Sequence, residues 1–413
     1  MAGDGQGAPG TAESVARRSY GRLVAYVAAR TRDVAQAEDA LSEAFASALA
    51  TWPSHGVPDN PEAWLLTAAR RKIIDGARRR QTREAAATHL ALIAEELEAA
   101  DEAAEIPDRR LALLFACAHP AIEAGIRAPL MLQAVLGLDA AMIASAFLTS
   151  PAAMGKRLVR AKAKIREAGI PFAVPERSEL AARLQTVLDA IYAAFAEGWS
   201  DPGGTDVARR DLTGEALFLA RLAVELMPAE PEALGLLALV LYIDSRRSAR
   251  RDTSGAFVAF AEQDVADWDS TMIAEAEFLL GRAAGFGAAG RYQIEAALQS
   301  AHVARRRTGR ADWHAVVMLY DALLLLTGSS PVVGLNRALA IAERDGPQAG
   351  LAALEAIADS RLDRYQPYWA ARAELASRLG ATADARRAYD LAIGLEHDPA
   401  VRAFLARRRA AAG

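Results

Sequence analysis

Residues 138–167 read LDAAMIASAFLTSPAAMGKRLVRAKAKIRE, and this stretch decides how the first half of the chain is interpreted. Its first nine residues are apolar enough for a short helix. Ser150 followed by Pro151 predicts the start of a second helix, because serine caps helices and proline suits their first turn. A helix, a break at 147–150 and a basic helix over 151–167 have the outline of a helix-turn-helix, whose second helix enters the DNA major groove.

The predicted second helix separates positive charge from apolar side chains. Six basic residues and no acidic one lie between positions 156 and 166. At helical spacing, Arg157, Arg160 and Lys164 share one face, whereas Leu158 and Ile165 face the core. Cations on such a helix contact phosphates and base edges. The predicted DNA contacts of this element are Ser150, Ala153, Lys156, Arg157, Arg160, Lys162 and Lys164.

A second basic cluster lies on a helix that is predicted to begin at Pro61, with Asn60 as its cap. Seven basic residues and one acid, Asp75, lie between positions 70 and 83. Asp75 is one turn from Arg71, so its carboxylate can orient a guanidinium that grips phosphates. The nucleic-acid contacts predicted on this helix are Trp64, Arg70, Arg71, Lys72, Asp75, Arg78 and Arg79.

The segment before this helix, residues 52–60, is rich in proline and glycine and is predicted to be a loop. It supplies Trp52, His55 and Asn60, whose side chains can stack on or hydrogen-bond to an unpaired base. Trp64, on the following helix, suits either a core position or such a stacking contact. The loop and the helix together therefore predict a site for single-stranded bases.

Residues 13–52 are predicted to form two helices. In the second, apolar side chains recur at three- and four-residue spacing, the pattern of an amphipathic helix. Asp33 is its predicted N-cap and Pro53 its predicted end. Asp39 and Glu43 lie on the solvent side of the apolar stripe, which predicts a protein-binding face.

The composition of the 413 residues favours an all-α protein. Hydrophobic residues make up 52% and aromatic residues 6%, and the high alanine and leucine content favours helices over sheets. The net charge is −4, yet all four lysines lie in the two basic clusters, which indicates local sites for a polyanion. The single cysteine, Cys117, excludes a disulfide framework and a cysteine-based zinc site.

The sequence predicts a cytoplasmic protein. A single cysteine fits a reducing compartment. The first eleven residues lack the apolar core of a signal peptide, and no stretch approaches the roughly 18 apolar residues of a membrane span.

The sequence predicts two further segments, a linker and a helical extension. Residues 84–106 contain seven acidic residues and no basic one, which predicts a linker between the two basic units. From Ser178 onward, one predicted helix follows another, with loose self-similarity between stretches such as 231–239, 335–342 and 368–375. Pairs of short helices with small residues at their crossings are typical of tetratricopeptide-like stacking.

The chain resembles an extracytoplasmic-function sigma factor of RNA polymerase, of the subgroup with a C-terminal tetratricopeptide-like extension. The resemblance extends over nearly the whole chain and depends on a combination of motifs in a fixed order. The motifs are Ala37-Glu38-Asp39-Ala-Leu-Ser-Glu43-Ala-Phe45, Trp64-Leu, Asp75-x-x-Arg78-Arg79, the helix-turn-helix, Asp244-Ser-Arg246-Arg247, Gln263-Asp264-x-x-x-Trp268, Asp312-Trp313 and Leu335-Asn336-Arg337.

The resemblance implies roles for these residues. Asp33, Asp39, Glu43 and Phe45 would dock on the clamp helices of the largest polymerase subunit, although Phe45 also suits the core. The 52–60 loop and the helix after it would read and melt the minus-ten promoter element. The acidic linker would thread towards the active-site cleft of the polymerase. The helix-turn-helix would read the minus-thirty-five element, and the flap of the second-largest subunit is a further implied contact.

The predicted organisation is therefore a disordered tail over 1–12, a sigma region-two domain over 13–83 and the acidic linker over 84–106. A region-four helix-turn-helix domain follows over 107–175, and a helical extension over 176–413 is expected to regulate activity in cis. That extension is also expected to bind a protein or a small-molecule ligand.

The sequence contains little that supports other classes of function. It contains no phosphate loop, catalytic triad or HExxH motif, so neither enzyme activity nor a cofactor is predicted. His302 and His314 have no carboxylate at a ligand spacing, so no metal site is predicted. The main rival is a helix-turn-helix regulator with a ligand- or protein-sensing extension that does not replace a sigma factor. A one-site regulator needs neither the acidic helix face nor the second basic helix.

Overall fold

The computed structural model of the protein describes residues 8–80, 108–147, 149–199, 207–328 and 330–412. In these ranges the regular structure is helical, apart from one isolated β-bridge between Arg251 and Phe257. The all-α prediction is therefore confirmed. The predicted acidic linker lies outside the described residues. The predicted disordered tail is wrong in part, because the first helix already begins at Ala8.

The chain forms two compact units. The first comprises the chain up to Trp199 together with Asp211–Ala216, and the second comprises Ser200–Arg210 and Leu217–Gly413. The helices of the first unit are α1 (Ala8–Thr31), α2 (Val34–His55), α3 (Pro61–Arg80), α4 (Arg110–Cys117), α5 (Ala124–Leu136), α6 (Ala140–Ala146), α7 (Pro151–Glu167) and α8 (Arg177–Trp199).

The predicted helix starts are confirmed by their caps. The Asp33 side chain accepts a hydrogen bond from the backbone N–H of Gln36 at 3.1 Å, and the Ser150 hydroxyl accepts one from Ala153 at 3.2 Å. The prediction that Pro53 ends α2 is wrong. A proline in the last turn removes only its own N–H donor, and α2 continues to His55.

Helix α4 is buried around its whole circumference, since every residue from Ala112 to Cys117 is at most 5% exposed. A helix that is apolar on all sides belongs inside a core. It packs against α1, α5 and α8, and burial raises the pKa of the Cys117 thiol. Helix α8, which the sequence assigned to the extension, therefore lies in the first unit. There the Arg183 guanidinium donates to the carbonyl of Phe115 at 3.0 Å.

Two glycines allow α1 to approach α5 closely. A side chain at Gly21 would collide with the backbone carbonyl of Val135 on α5. Gly137, the αL residue at the end of α5 with φ of 74°, faces the ring of Tyr20, which a Cβ atom would approach to 2.9 Å. The elements that the sequence assigned to separate domains, α1–α3 and α4–α7, are thus packed together.

The second unit is a succession of helices in which neighbours share cores. Its helices are α9 (Val207–Leu226, of which Asp211–Ala216 belong to the first unit), α10 (Pro231–Asp244), α11 (Ser270–Ala284), α12 (Arg291–Thr308), α13 (Trp313–Leu326), α14 (Pro331–Asp345), α15 (Pro347–Glu355), α16 (Gln366–Arg378), α17 (Thr382–Leu395) and α18 (Pro399–Ala411). One buried cluster joins α12 to α14, the next joins α14 to α16, and a third joins α16 to α18. Stability in such stacks comes mainly from contacts between adjacent elements.

An irregular connection, Ser245–Asp269, separates α10 from α11 and contains three 3₁₀ turns. It reaches the last helices of the second unit. Arg251 pairs with the buried carboxylate of Asp398 at 2.7 Å, and the ring of Phe257 lies 5.4 Å from that of Phe404. The connection therefore ties the beginning of this unit to its end.

Candidate nucleic-acid interface

Helix α7 has one buried and one exposed side. Met154, Leu158, Ala161 and Ile165 are at most 6% exposed and face the core. The opposite side is exposed and carries Lys156, Val159, Arg160 and Lys164. Val159 is 65% exposed, an apolar residue among cations, and sequence reasoning missed it. This mixture of cationic and apolar side chains suits contacts to phosphates and base edges.

Arg157 lies at the margin of this face and is partly engaged. Its guanidinium donates to the carbonyl of Gly125 at 3.1 Å and lies 3.7 Å from the carboxylate of Glu123. Both partners precede or begin α5, so Arg157 braces α7 against that helix. Ser150 is engaged as well, through its capping hydroxyl, whereas Ala153 is exposed.

Lys162 requires a correction. It was predicted to touch phosphates, but its side chain is only 10% exposed and pairs with Glu38 of α2 at 2.5 Å. The physical reason is its position, four residues after Leu158 and three before Ile165, which places it on the apolar side of the helix. Burial raises the pKa of the Glu38 carboxyl, because desolvation outweighs the opposing effect of the Lys162 ammonium.

A second pair joins the same two helices. The guanidinium of Arg166 lies 3.2 Å from the carboxylate of Asp33, the N-cap of α2. The Asp33 side chain is 15% exposed in this arrangement. Sequence reasoning singled out neither Glu38 nor Arg166 as a functional residue, because partners more than 120 positions apart leave no local signal.

Helix α3 presents a charged edge. Leu65, Ala69 and Ile73 are at most 3% exposed and pack inward. Of the predicted contacts, Arg71, Lys72 and Asp75 are exposed, and Arg70 and Trp64 are partly buried. Arg78 and Arg79 lie on the same helix, but their side chains fall outside the described residues.

The loop before α3 is shorter than predicted, and Trp52 requires a correction. Trp52 belongs to α2, is 2% exposed and makes an edge contact with Trp64 at a ring-centroid distance of 5.5 Å. It is therefore a core residue and not a free base-stacking group. His55 is exposed at the end of α2. The Asn60 side chain caps α3 by accepting from the N–H of Ala63 at 3.1 Å.

The acidic side of α2 is exposed where the sequence predicted a protein-binding face. Asp39 and Glu43 are both exposed, and Glu43 pairs with Lys72 of α3 at 2.9 Å. Phe45 is partly buried, with its ring 6.4 Å from that of Tyr20. The assignment of these residues to polymerase binding stays a prediction.

The described residues contain no helix that is both long enough and apolar enough to cross a bilayer. They also contain no group of three or more histidine, cysteine or carboxylate side chains arranged to hold a metal ion.

Comparison with known proteins gives four findings. Residues 15–83, which include α2 and α3, match the family model for sigma-70 region 2. Residues 183–284 match a family of unknown function, DUF6596. An uncharacterized protein of Rhizobium meliloti (strain 1021) is 41% identical over 394 residues, which cover 94% of this chain and 92% of that protein. No solved structure matches the chain. The chain therefore belongs to one family with the Rhizobium protein, and the sigma-70 region 2 over its residues 15–83 supports a sigma-70 factor with a role in RNA polymerase binding and transcription initiation.

Proposed function

We propose that this protein is a sigma factor of the extracytoplasmic-function type, which directs the RNA polymerase core to specific promoters. The observation that carries the proposal is the pair of exposed cationic helix faces, on α3 and α7, beside the exposed acidic side of α2. Two DNA-binding helices and a protein-binding helix fit a factor that reads two promoter elements while bound to polymerase. The protein acts in the cytoplasm and performs no chemistry of its own.

In this function, region two reads the minus-ten element. Arg71 and Lys72 are exposed on α3 and can contact phosphates, and His55 and Asn60 border the 56–60 loop that faces solvent. The Trp52–Trp64 contact joins the two helices on either side of this loop. Asp39 and Glu43 contact the clamp helices of the largest polymerase subunit.

In the same proposal, α7 reads the minus-thirty-five element in a major groove, and region four contacts the flap of the second-largest subunit. Arg160 and Lys156 are exposed at helical spacing on one side of α7, and Val159 lies between them. An arginine can read the O6 and N7 atoms of guanine, and an apolar side chain can contact the methyl group of thymine. The α7 surface supports recognition of both kinds of base.

The second unit is proposed to be a tetratricopeptide-like domain that regulates initiation in cis, through a bound protein or small molecule. Its overlapping cores support a helical repeat. The long connection Ser245–Asp269 supports a ligand-binding role, because loops of this length in compact domains are commonly functional.

The decisive experiment is multi-round in vitro transcription with purified core polymerase and the full-length chain. We expect promoter-specific transcripts only when both are present. If the chain binds promoter DNA but core polymerase initiates no transcription with it, the rival, a helix-turn-helix regulator that does not replace a sigma factor, is the better assignment.

Reversing the charge of the acidic face tests polymerase binding. We expect Asp39→Lys with Glu43→Lys to weaken core binding by roughly tenfold or more, because like charges across an interface cost several kcal/mol. The measurement is a core-polymerase binding titration. Glu176→Lys with Glu179→Lys, an equal charge change at two exposed positions near the start of α8, is the matched control. Equal affinity of both double variants would contradict the assignment.

Alanine substitutions on α7 test how the promoter is read. We expect Arg160→Ala to cost about 1–3 kcal/mol and to relax specificity at one base pair, because a bidentate base contact is lost. Lys164→Ala should weaken binding to all sequences equally and lower the salt slope by about one, as expected of a phosphate contact. The measurement is promoter binding by the holoenzyme over a panel of minus-thirty-five variants. Identical effects of both substitutions on every variant would refute this division of roles.

A further inference from the structure

Four ring side chains lie together beside the connection Ser245–Asp269 of the second unit. The rings of Phe260 and Trp268 are stacked, with centroids 5.8 Å apart and an interplanar angle of 16°. The ring of His302, on α12, contacts Phe260 edge-on at 5.2 Å and lies 6.0 Å from Trp313, the first residue of α13. We call Phe260, Trp268, His302 and Trp313 the aromatic cluster. The connection and two helices therefore supply it together.

The aromatic cluster is accessible at the surface and carries a positive charge. Phe260, His302 and Trp313 are partly exposed. The guanidinium of Arg246, two residues after the end of α10, lies over the ring of Phe260 at 4.5 Å from its centroid. A guanidinium both stacks on planar groups and pairs with anions. The cluster therefore combines planar surfaces with a cation.

Two buried polar atoms of the connection have no hydrogen-bond partner among the described residues. Gln263, directly after the 3₁₀ turn Phe260–Glu262, is 6% exposed. Its Nε2 atom donates to the carbonyl of Val258 at 3.4 Å, but its Oε1 atom accepts nothing from the part of the chain that the structure describes. The second atom is Nε1 of Trp268, a donor that likewise lacks a partner within the described ranges. Buried polar atoms nearly always have a partner, so this acceptor and this donor indicate a site that a bound molecule completes.

A nucleotide matches these features together. Its base is planar and stacks on aromatic rings and on guanidinium groups. The edge of a base carries a donor next to an acceptor, as the N6 amino group and the N7 atom of adenine do. The donor complements Oε1 of Gln263, and the acceptor complements Nε1 of Trp268. The phosphate supplies an anion for Arg246.

We propose that the aromatic cluster, with Gln263 and Arg246, is a nucleotide-binding site of the second unit. The base stacks on the exposed rings, its edge bonds to Gln263 and Trp268, and its phosphate pairs with Arg246. Both unpartnered atoms are shielded from solvent in the free chain, so the turn Phe260–Glu262 shifts when the base enters. Regulation of initiation through this site rests on the proposed function, whereas nucleotide binding does not.

Calorimetric titration of the full-length chain tests binding directly. The probes are AMP, GMP, CMP and UMP, each added separately, with the corresponding nucleosides and inorganic phosphate for comparison. We expect at least one monophosphate to bind, and its nucleoside to bind about tenfold more weakly because the phosphate contact with Arg246 is lost. Inorganic phosphate alone should not bind measurably. A single-stranded oligonucleotide of about ten nucleotides distinguishes a free nucleotide from one within a strand.

Substitutions in the site locate the binding. Gln263→Met removes the amide oxygen, and Trp268→Phe removes the N–H donor but keeps an aromatic ring. Each should weaken nucleotide binding about tenfold. Gln293→Met is the matched control, because Gln293 is also 6% exposed but lies outside the cluster, and its Nε2 atom donates to Glu232 at 3.2 Å and to the carbonyl of Ala288 at 2.7 Å. It should leave the nucleotide affinity unchanged.

The same two glutamine variants test whether the Gln263 oxygen lacks a partner in the free chain. Gln293→Met loses two hydrogen bonds and should lower the Tm by about 2–4 °C or more. Gln263→Met loses only the long bond to Val258 and should lower the Tm by clearly less. The measurement is thermal unfolding of the full-length chain followed by circular dichroism. Equal losses would mean that the Gln263 oxygen already has a partner, and the inference would fail.

Failure of this inference and failure of the proposed function give different results. If no monophosphate and no oligonucleotide binds, the site is wrong, whatever the chain does with core polymerase. The site is also wrong if Gln263→Met and Trp268→Phe fold, shown by unchanged circular dichroism, and bind every probe as tightly as the wild-type chain. Because the first unit is itself proposed to bind DNA, oligonucleotide binding supports the site only where Gln263→Met weakens it. If nucleotide binding depends on both residues but core polymerase initiates no transcription with the chain, the proposed function fails and the site stands.

Discussion

We expect Lys162→Met to destabilise the contact between α2 and α7 by about 3–5 kcal/mol, because it leaves the buried Glu38 carboxylate without its partner. Methionine keeps the length of the side chain and removes its charge, so the loss reports the missing ammonium. The measurement is the free energy of opening from amide hydrogen exchange in α2 and α7, with urea unfolding of the full-length chain as a second readout.

Two further variants test whether the loss of stability comes from the buried Glu38–Lys162 pair. Lys164→Met, an exposed position on the same helix, should change stability by no more than about 0.5 kcal/mol. Glu38→Leu combined with Lys162→Met replaces the whole pair by apolar groups and should be neutral or stabilising by about 1–4 kcal/mol. A loss for Lys162→Met no larger than that for Lys164→Met would mean that the buried pair does not form.

Helix α7 shows how far the sequence could predict this site. Its cap at Ser150 and its extent to Glu167 follow from local rules, because capping and proline placement act within one turn. The helical spacing also places Lys162 with Leu158 and Ile165 on the inner side. The many basic residues close to Lys162 in the sequence favoured an exposed position for it instead. The carboxylate that neutralises Lys162 lies 124 residues away, and no local pattern identifies it.

Trp52 illustrates a conflict between two local signals. It ends the apolar stripe of α2, which predicts burial, and it borders a proline- and glycine-rich segment, which predicts exposure. The outcome depends on Trp64, whose ring packs against it at 5.5 Å from the next helix. Tertiary packing of this kind decides between burial and exposure, and single-sequence rules do not include it.

The place of α8 could not be predicted for a similar reason. The run Gly169 to Pro175 breaks the chain and suggested a domain boundary there. Apolar residues on every side of α4 indicated that something must cover it, but not which element. In the structure, α8 is the element that packs against α4 and α5. The boundary between the compact units therefore lies at the end of α8 and not before its start.

This position of α8 leads to the prediction with the largest expected effect, which concerns truncation. A chain that ends after Pro175 lacks α8, whose Leu184, Val187, Leu188 and Ile191 are at most 2% exposed. Burial of each such side chain contributes roughly 1.5–3 kcal/mol, so the four together contribute on the order of 6–12 kcal/mol. A domain is typically stable by only about 5–15 kcal/mol.

We therefore expect the chain ending after Pro175 to lose cooperative unfolding and to expose apolar surface of α4 and α5. A chain ending after Ala216 keeps every segment of the first unit and should unfold cooperatively. Urea titrations followed by circular dichroism, together with binding of an apolar fluorescent dye, distinguish the two truncated proteins. Equal cooperativity of both would contradict the assignment of α8 to the first unit.

The same pair of truncations decides how regulation by the second unit can be tested. Lost transcription by the chain ending after Pro175 would report unfolding of the first unit, because α8 no longer covers α4 and α5. Only the chain ending after Ala216 removes the remainder of the second unit while leaving the first intact. Higher transcription by that chain than by the full-length protein would mean that the second unit inhibits initiation. Lost transcription with intact folding would mean that initiation requires it, and equal transcription with equal core affinity would contradict regulation in cis.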